Sequence, residues 1–413
     1  RDLVRSRGLG DVYKRQAIPS IIAMVVSALY NMVDQFFIGR SVGMLGNAAT
    51  NVAFPLVITC TAIALMCGIG GAANFNLCMG QQEKEEAASF AGNAITMLFS
   101  LGMILCIITR LFLKPMMILF GATSSVLDYS LIYTGITSLG FPFLILTTGG
   151  TNLVRADGSP KFSMTCTLTG AIINTILDPT LIFGFHMGIA GAAWATVIGQ
   201  VVSGIMVILY LRKFKTVKLT KEKLRPHSHY IGRIVSLGMA PFFNQVSMMV
   251  VQIVMNNVLI RYGAKSSYGS DIPLACAGII TKINMIFFAI NIGISQGLQP
   301  IISYNYGARN YTRVRETFHL MFKLCLGFAM GACILVIIFS SFFVSIFTKD
   351  APTIHFSSWA LRVFLIGAGM FGAQTACQQA FMALGQAKVS VWMAITRKII
   401  LLIPFIYIFP YLL

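Results

Sequence analysis

The chain has 413 residues, 56% of them hydrophobic and only 11% charged, with a formal net charge of +18. A soluble domain carries about 25% charge, and no water-soluble fold of this size hides so much apolar surface. The basic residues sit in short stretches between apolar runs, which is how membrane-protein loops look, so nucleic acid is not an expected partner.

The nine cysteines are odd in number and lie mostly within apolar runs. They read as small buried side chains rather than a disulfide framework or metal site. The five histidines are scattered, and no metalloprotease or P-loop pattern gives enzyme chemistry an anchor. No cofactor is expected.

The first sixteen residues stand apart. Asp11-Val12-Tyr13-Lys14-Arg15-Gln16 looks like a translated sequencing-library end, so residues 1–16 are read as an assembly scar. From there, eleven apolar runs follow, near 17–39, 49–75, 88–111, 126–152, 162–185, 190–211, 232–260, 273–303, 317–347, 355–382 and 389–412. Each is long enough to cross a bilayer as a helix, which takes about 20 residues. The predicted fold class is all-α integral membrane.

The stretch 212–231 is the most basic, with Arg212, Lys213, Lys215, Lys218, Lys221, Lys223 and Arg225 against Glu222 alone. Positive loops face the cytoplasm. With six runs before this loop, the start of the chain is also expected inside, in a multi-pass protein of the cell membrane.

The same loop divides an N-lobe, 17–211, from a C-lobe, 232–413. Gly70, Gly80, Phe120, Ala156, Gly158 and Lys161 recur 227 residues later as Gly297, Gly307, Phe347, Ala383, Gly385 and Lys388. Near the start of each half the offset is 222, pairing Pro19 with Pro241 and Asp34 with Asn256. Two parallel repeats of six helices are expected. The repeat calls for a twelfth helix, the counterpart of 190–211, beyond Leu413. The sequence therefore reads as eleven of twelve helices, truncated at its C-terminus.

Ionisable groups inside spans are expensive and usually functional. Asp34 and Asp178 lie 17 residues past Ala17 and Lys161 respectively, so both are expected about 25 Å from the inner face. Asn174 shares a helix face with Asp178, and Pro179 marks a bend by freeing the carbonyl of Thr175. Thr196, on the returning sixth run, falls at a comparable depth. Two carboxylates, an amide and a hydroxyl offer oxygen ligands for Na⁺ or a shared site for H⁺. The C-lobe lacks the set, because Leu401 and Phe405 stand at the repeat positions of Asn174 and Asp178. Lys282, Arg397 and Lys398 are basic groups in or near spans of that half, read first as marking span ends, and the glutamines Gln245, Gln252, Gln374, Gln378 and Gln379 are read as lining a polar cavity or pairing between helices.

The segments Leu29–Gly39 and Ile176–Gly184 resemble the first and fifth helices of the multidrug and toxic compound extrusion (MATE) family. Gly188–Thr196 resembles the start of its sixth helix, and Leu153–Gly158 its fourth loop. The resemblance covers essentially all of 17–413. It implies two lobes around a central cleft, and alternating access driven by inward H⁺ or Na⁺. It carries a cation site onto Asp34, Asn174, Asp178 and Thr196, and a substrate cavity onto Tyr133 and, more weakly, Tyr30 and Asn152. The expected activity is antiport of small drug substrates, by a monomer in the lipid bilayer. The alternative from the same superfamily is a lipid-linked sugar flippase, which would favour a strongly cationic cleft, and the spans show no arginine cluster.

Overall fold

The computed structural model describes residues 9–269, 271–346 and 348–412. The first eight residues of the segment 1–16, Phe347 of the repeat and Leu413 lie outside the described residues.

The N-lobe comprises α1 (Leu9–Ser41), α2 (Met44–Gly80), α3 (Lys84–Leu111), the short α4 (Leu113–Leu119), α5 (Leu127–Thr137), α6 (Phe141–Ala156), α7 (Pro160–Pro179) and α8 (Ile189–Leu211). The C-lobe comprises α9 (Ser228–Gly263), α10 (Asp271–Gly307), α11 (Tyr311–Ile338), α12 (Ser340–Ser345), α13 (Ala351–Ala368), α14 (Phe371–Ala383), α15 (Ala387–Ile395) and α16 (Ile403–Leu412). Among the described residues, ten helical segments are long and apolar enough to span a membrane, and α13 with α14, bent by 41°, makes an eleventh if the pair is one span.

The run drawn at 317–347 is corrected. Its helix starts at Tyr311 and breaks at Phe339, and α12 is a separate short helix. Likewise α1 begins at Leu9 rather than near Ala17, and the Tyr13 hydroxyl lies 3.0 Å from that of Thr317 in α11.

Large apolar side chains lie on the outer surface of the bundle as well as in its core. On α3 the buried face combines Ala87, Ala88, Ala91, Gly92 and Ala94 with Phe90, Met97 and Leu98, while Phe99, Ile104, Ile107 and Leu111 point outward. Lipid tails solvate large apolar side chains as well as a protein core does, so helix association rests on small residues that let backbones approach. Each lobe has its own core.

The repeat is visible in backbone detail. After α6, Gly158 takes φ +85° and donates to Arg155 O at 3.1 Å, while Ser159 N reaches Val154 O at 3.2 Å. After α14, Gly385 takes φ +76° and donates to Met382 O at 3.1 Å, while Gln386 N reaches Phe381 O at 2.9 Å. Every partner is displaced by 227. Both turns need the left-handed conformation that glycine adopts without a Cβ penalty.

The lobes meet at the end that carries the basic linker. Gly70 of α2 packs on the backbone of Ile234 and Gly238 in α9, and its repeat mate Gly297 of α10 packs on Gln16 and Ala17 in α1. Gly80 and its mate Gly307 touch each other, so a pseudo-two-fold axis passes between them. A Cβ on Gly293 would sit 2.6 Å from Ile21 Cα. Ser303 Oγ donates to Ala73 O at 3.1 Å across the same seam.

The linker itself is strapped beneath the N-lobe. Asp157, buried at the end of α6, accepts from Tyr210 Oη at 2.6 Å, Lys215 N at 2.8 Å, Thr216 N at 3.1 Å and the Thr216 hydroxyl. Asn93 of α3 accepts from His227 N at 2.9 Å, and Thr96 donates to Leu224 O at 2.6 Å.

Candidate functional site

The site grows from one face of α1. Tyr30 and Asp34 are four residues apart and so lie one above the other. This far half of α1 packs on α7, where Asn174 and Asp178 form a second four-residue pair. Asp34 is 7% exposed, Asp178 1% and Asn174 2%. The two carboxyl groups lie within hydrogen-bonding reach of each other. Two carboxylates in contact repel, so the arrangement calls for a proton or a cation between them.

Asn174 holds the pair in place. With its amide nitrogen toward Asp178, it donates to Oδ1 and Oδ2 at 3.2 Å each. Tyr30 lies near the same amide. Tyr133 of α5 is buried, and close enough to Asp34, Asp178 and Tyr30 to interact with them electrostatically. Asp34 Oδ1 is buried with no donor reaching it. Its free lone pairs fit H⁺ or a hard cation such as Na⁺, which prefer oxygen donors.

Thr196 stands beside this group rather than in it. Its hydroxyl donates to Ala192 O in its own helix at 3.0 Å. Three residues on, Gly199 brings α8 so close to α7 that a Cβ there would sit 3.3 Å from Asn174 Cβ. Thr196 therefore shares the α8 face turned to Asn174, with its oxygen lone pairs still available.

Asn152 is not brought to the cluster. It lies near the linker end of α6, accepting from Arg155 at 3.3 Å and donating to Thr148 O at 2.9 Å. Its neighbour Thr151 accepts from Ser163, near the start of α7. Asp178 is fifteen residues further along that helix, roughly 22 Å away. Pro179 ends the α-helical part of α7, and the next five residues, Thr180–Gly184, form a π turn. Such a turn leaves the wider, weaker helix in which π-bulges mark functional positions.

Two features escaped the sequence. Arg397 and Lys398 lie in the middle of the last span, in a second π turn at Thr396–Leu402, and Lys398 is buried. Reading them as span-end markers is corrected, because an inserted π turn carries no composition signal. The pentapeptide Gly293-Ile294-Ser295-Gln296-Gly297 also has the spacing of a hydrolase nucleophile elbow. It lies inside continuous α10, and the Ser295 hydroxyl donates back to Asn291 O and Ile292 O at 3.0 Å. Its glycines serve the contact with α1 and present no strained, exposed serine.

The model of the MatE family matches residues 19–180 and 240–408, one segment in each lobe. The chain belongs to the MatE family. It is similar to the multidrug export protein MepA of Staphylococcus haemolyticus, 26% identical over 394 residues, covering 95% of this chain and 85% of that protein. MepA of Staphylococcus aureus strain N315 is 25% identical with the same coverage.

Among solved structures, an outward-facing multidrug resistance MATE family transporter of the MOP superfamily superposes with a TM-score of 0.89 at 22% identity. The match covers 97% of this chain and 88% of that one. A MATE structure in the straight conformation gives 0.90 and one in the bent conformation 0.87, each at 21% identity and the same coverage. The family and the fold make this chain a membrane transporter.

Proposed function

We propose that the chain is a cation-coupled multidrug exporter. It moves drugs and other small, often cationic, amphiphilic compounds outward by alternating access, in exchange for H⁺ or Na⁺. The observation that carries this reading is the buried Asp34–Asp178 pair, with Asp34 on α1, the helix whose other half forms the seam between the lobes. The naming of the relatives as multidrug export proteins supports it.

The basic linker supports a cytoplasmic position for its end of the bundle, in a protein of the cell membrane. The seam at that end is closed, so the cleft opens outward in this state. A cation entering from outside binds between Asp34 and Asp178 and removes their mutual repulsion. The far half of α1 then settles against α7, with the π turn after Pro179 taking up the change. Substrate binds better before this step than after it. Cation and drug thus favour different states, which is the thermodynamic requirement for coupling.

The test is efflux of a cationic dye from vesicles carrying a pH or Na⁺ gradient. Asp34→Asn and Asp178→Asn should each abolish gradient-driven efflux while the protein still inserts in normal amount. Normal efflux by either variant sinks the proposal. The gradient that drives the wild type names the ion.

A further inference from the structure

The C-lobe holds a second buried polar group, opposite in sign to the first. By the repeat, Lys398 stands where the N-lobe has Ala171, seven residues and roughly 10 Å nearer the linker end than the position of Asp178. It is 7% exposed and donates to the backbone oxygen of Asn244 in α9 at 3.0 Å. Arg397 donates to Gln374 Oε1 in α14 at 2.7 Å, and its guanidinium lies over the Phe371 ring, 5.2 Å from the centroid.

Gln374 passes the polarity on, donating to Gln378 Oε1 at 2.7 Å, and Gln378 Nε2 is buried without a partner. The chain of donors that starts at Arg397 thus ends on an unused N–H group, and Lys398 is the next residue to Arg397. Neither cation forms an ion pair among the described residues. The three acids of the C-lobe are elsewhere: Asp271 opens α10, Glu316 lies early in α11, and Asp350 caps α13. Unpaired buried charge is costly and marks a site that a ligand completes. Phe371 and its neighbour Phe288, with ring centroids 4.2 Å apart, add an apolar wall.

We propose that Arg397, Lys398 and Gln378 form an oxyanion-binding subsite in the C-lobe, which takes the carboxylate of an amphiphilic substrate. This rests on the exporter reading and adds a substrate class to it: anionic and zwitterionic amphiphiles beside cationic ones. The guanidinium fork matches a carboxylate, the ammonium adds a point charge, and the phenyl rings receive the apolar part. A phospholipid phosphate has the same chemistry, and one arm of the experiment separates the two.

The experiment uses purified protein in phosphatidylcholine nanodiscs and two fluorescent probes, dansyl-undecanoic acid and its neutral primary amide. Wild type should bind the acid at least tenfold more tightly than the amide, about the difference expected for charge-assisted hydrogen bonding. Arg397→Gln should erase the preference. Because Lys398 also ties the π turn of the last span to α9, Arg397→Lys provides the second variant; keeping the charge without the fork, it should retain part of the preference.

Equal binding of acid and amide by wild type, or an unchanged preference in Arg397→Gln, overturns the subsite. In a further arm, discs containing phosphatidylglycerol should leave acid binding intact. Displacement of the probe there overturns the assignment to cargo in favour of a lipid headgroup. Repeating the measurement in Asp34→Asn separates the two proposals, because binding needs no transport: the preference should survive even where efflux is lost.

Discussion

Asp34 Oδ1 is a buried oxygen with no donor, while both oxygens of Asp178 face the amide of Asn174. This asymmetry assigns different tasks to two carboxyls at one site. Asp178 is oriented by its own helix, and Asp34 is the side still open to an incoming cation. Asn174 is then the residue that fixes geometry without carrying charge. Asn174→Leu should keep its volume against Gly199 and remove both hydrogen bonds. A hydrogen bond to a charged group is worth about 1.5–3 kcal/mol, and losing it makes the bare Asp178 carboxylate less stable, so proton affinity should rise roughly ten- to hundredfold and the H⁺ midpoint move to higher pH. Titrating the Na⁺ or H⁺ dependence of dye efflux measures this, and an unchanged midpoint would assign Asn174 to packing alone. The two acids were legible in the sequence because a charge within an apolar run is conspicuous. The partner of Asn152 was not legible, because polar residues are common along a helix and only the tertiary fold sets it beside Arg155 near the linker end of α6.

Among the elements, the regular helices were readable and their interruptions were not. Length and hydropathy mark a span, but nothing in the composition of 389–412 announces a π turn at Thr396–Leu402. By the repeat offset Phe405 should take the buried place of Asp178, yet Ile406 is 8% exposed and Phe405 44%. The wider turn has shifted the inward face by one residue. The linker is the other element whose structure exceeds its sequence signal. Its seven basic residues read only as a cytoplasmic stretch between the lobes, whereas Asp157 gathers four donors from Tyr210, Lys215 and Thr216. Asp157→Asn leaves one amide oxygen as acceptor and puts an NH₂ group among donors. The N-lobe should lose on the order of 2 kcal/mol, and the stretch from Arg212 to Arg225 should become sensitive to trypsin in inside-out vesicles. Equal cleavage rates for variant and wild type would mean that the strap is held elsewhere.

For the molecule as a whole, the decisive feature is that α1 belongs to both lobes. Its linker-end half packs on Gly293 and Gly297 of α10, and its far half carries Asp34 against α7. A change at Asp34 is therefore some thirteen residues, roughly 20 Å, from Ile21 and the seam that must open for the cleft to face the other side. If alternating access requires that opening, fixing the seam should stop transport without touching the cation site. The hydrogen bond from Ser303 to Ala73 brings α2 and α10 together at a place where neither residue reaches Asp34. In a background with the nine native cysteines replaced, Ala73→Cys with Ser303→Cys should form a disulfide on mild oxidation. Dye efflux should then fall to the level of empty vesicles and return on reduction. Cation binding to the oxidised protein should persist, because the N-lobe site lies in one lobe and on the open side. Continued efflux with the disulfide in place would show that the lobes need not part at this seam. Loss of both efflux and cation binding would show instead that α1 transmits the constraint back to Asp34, making the seam part of the coupling.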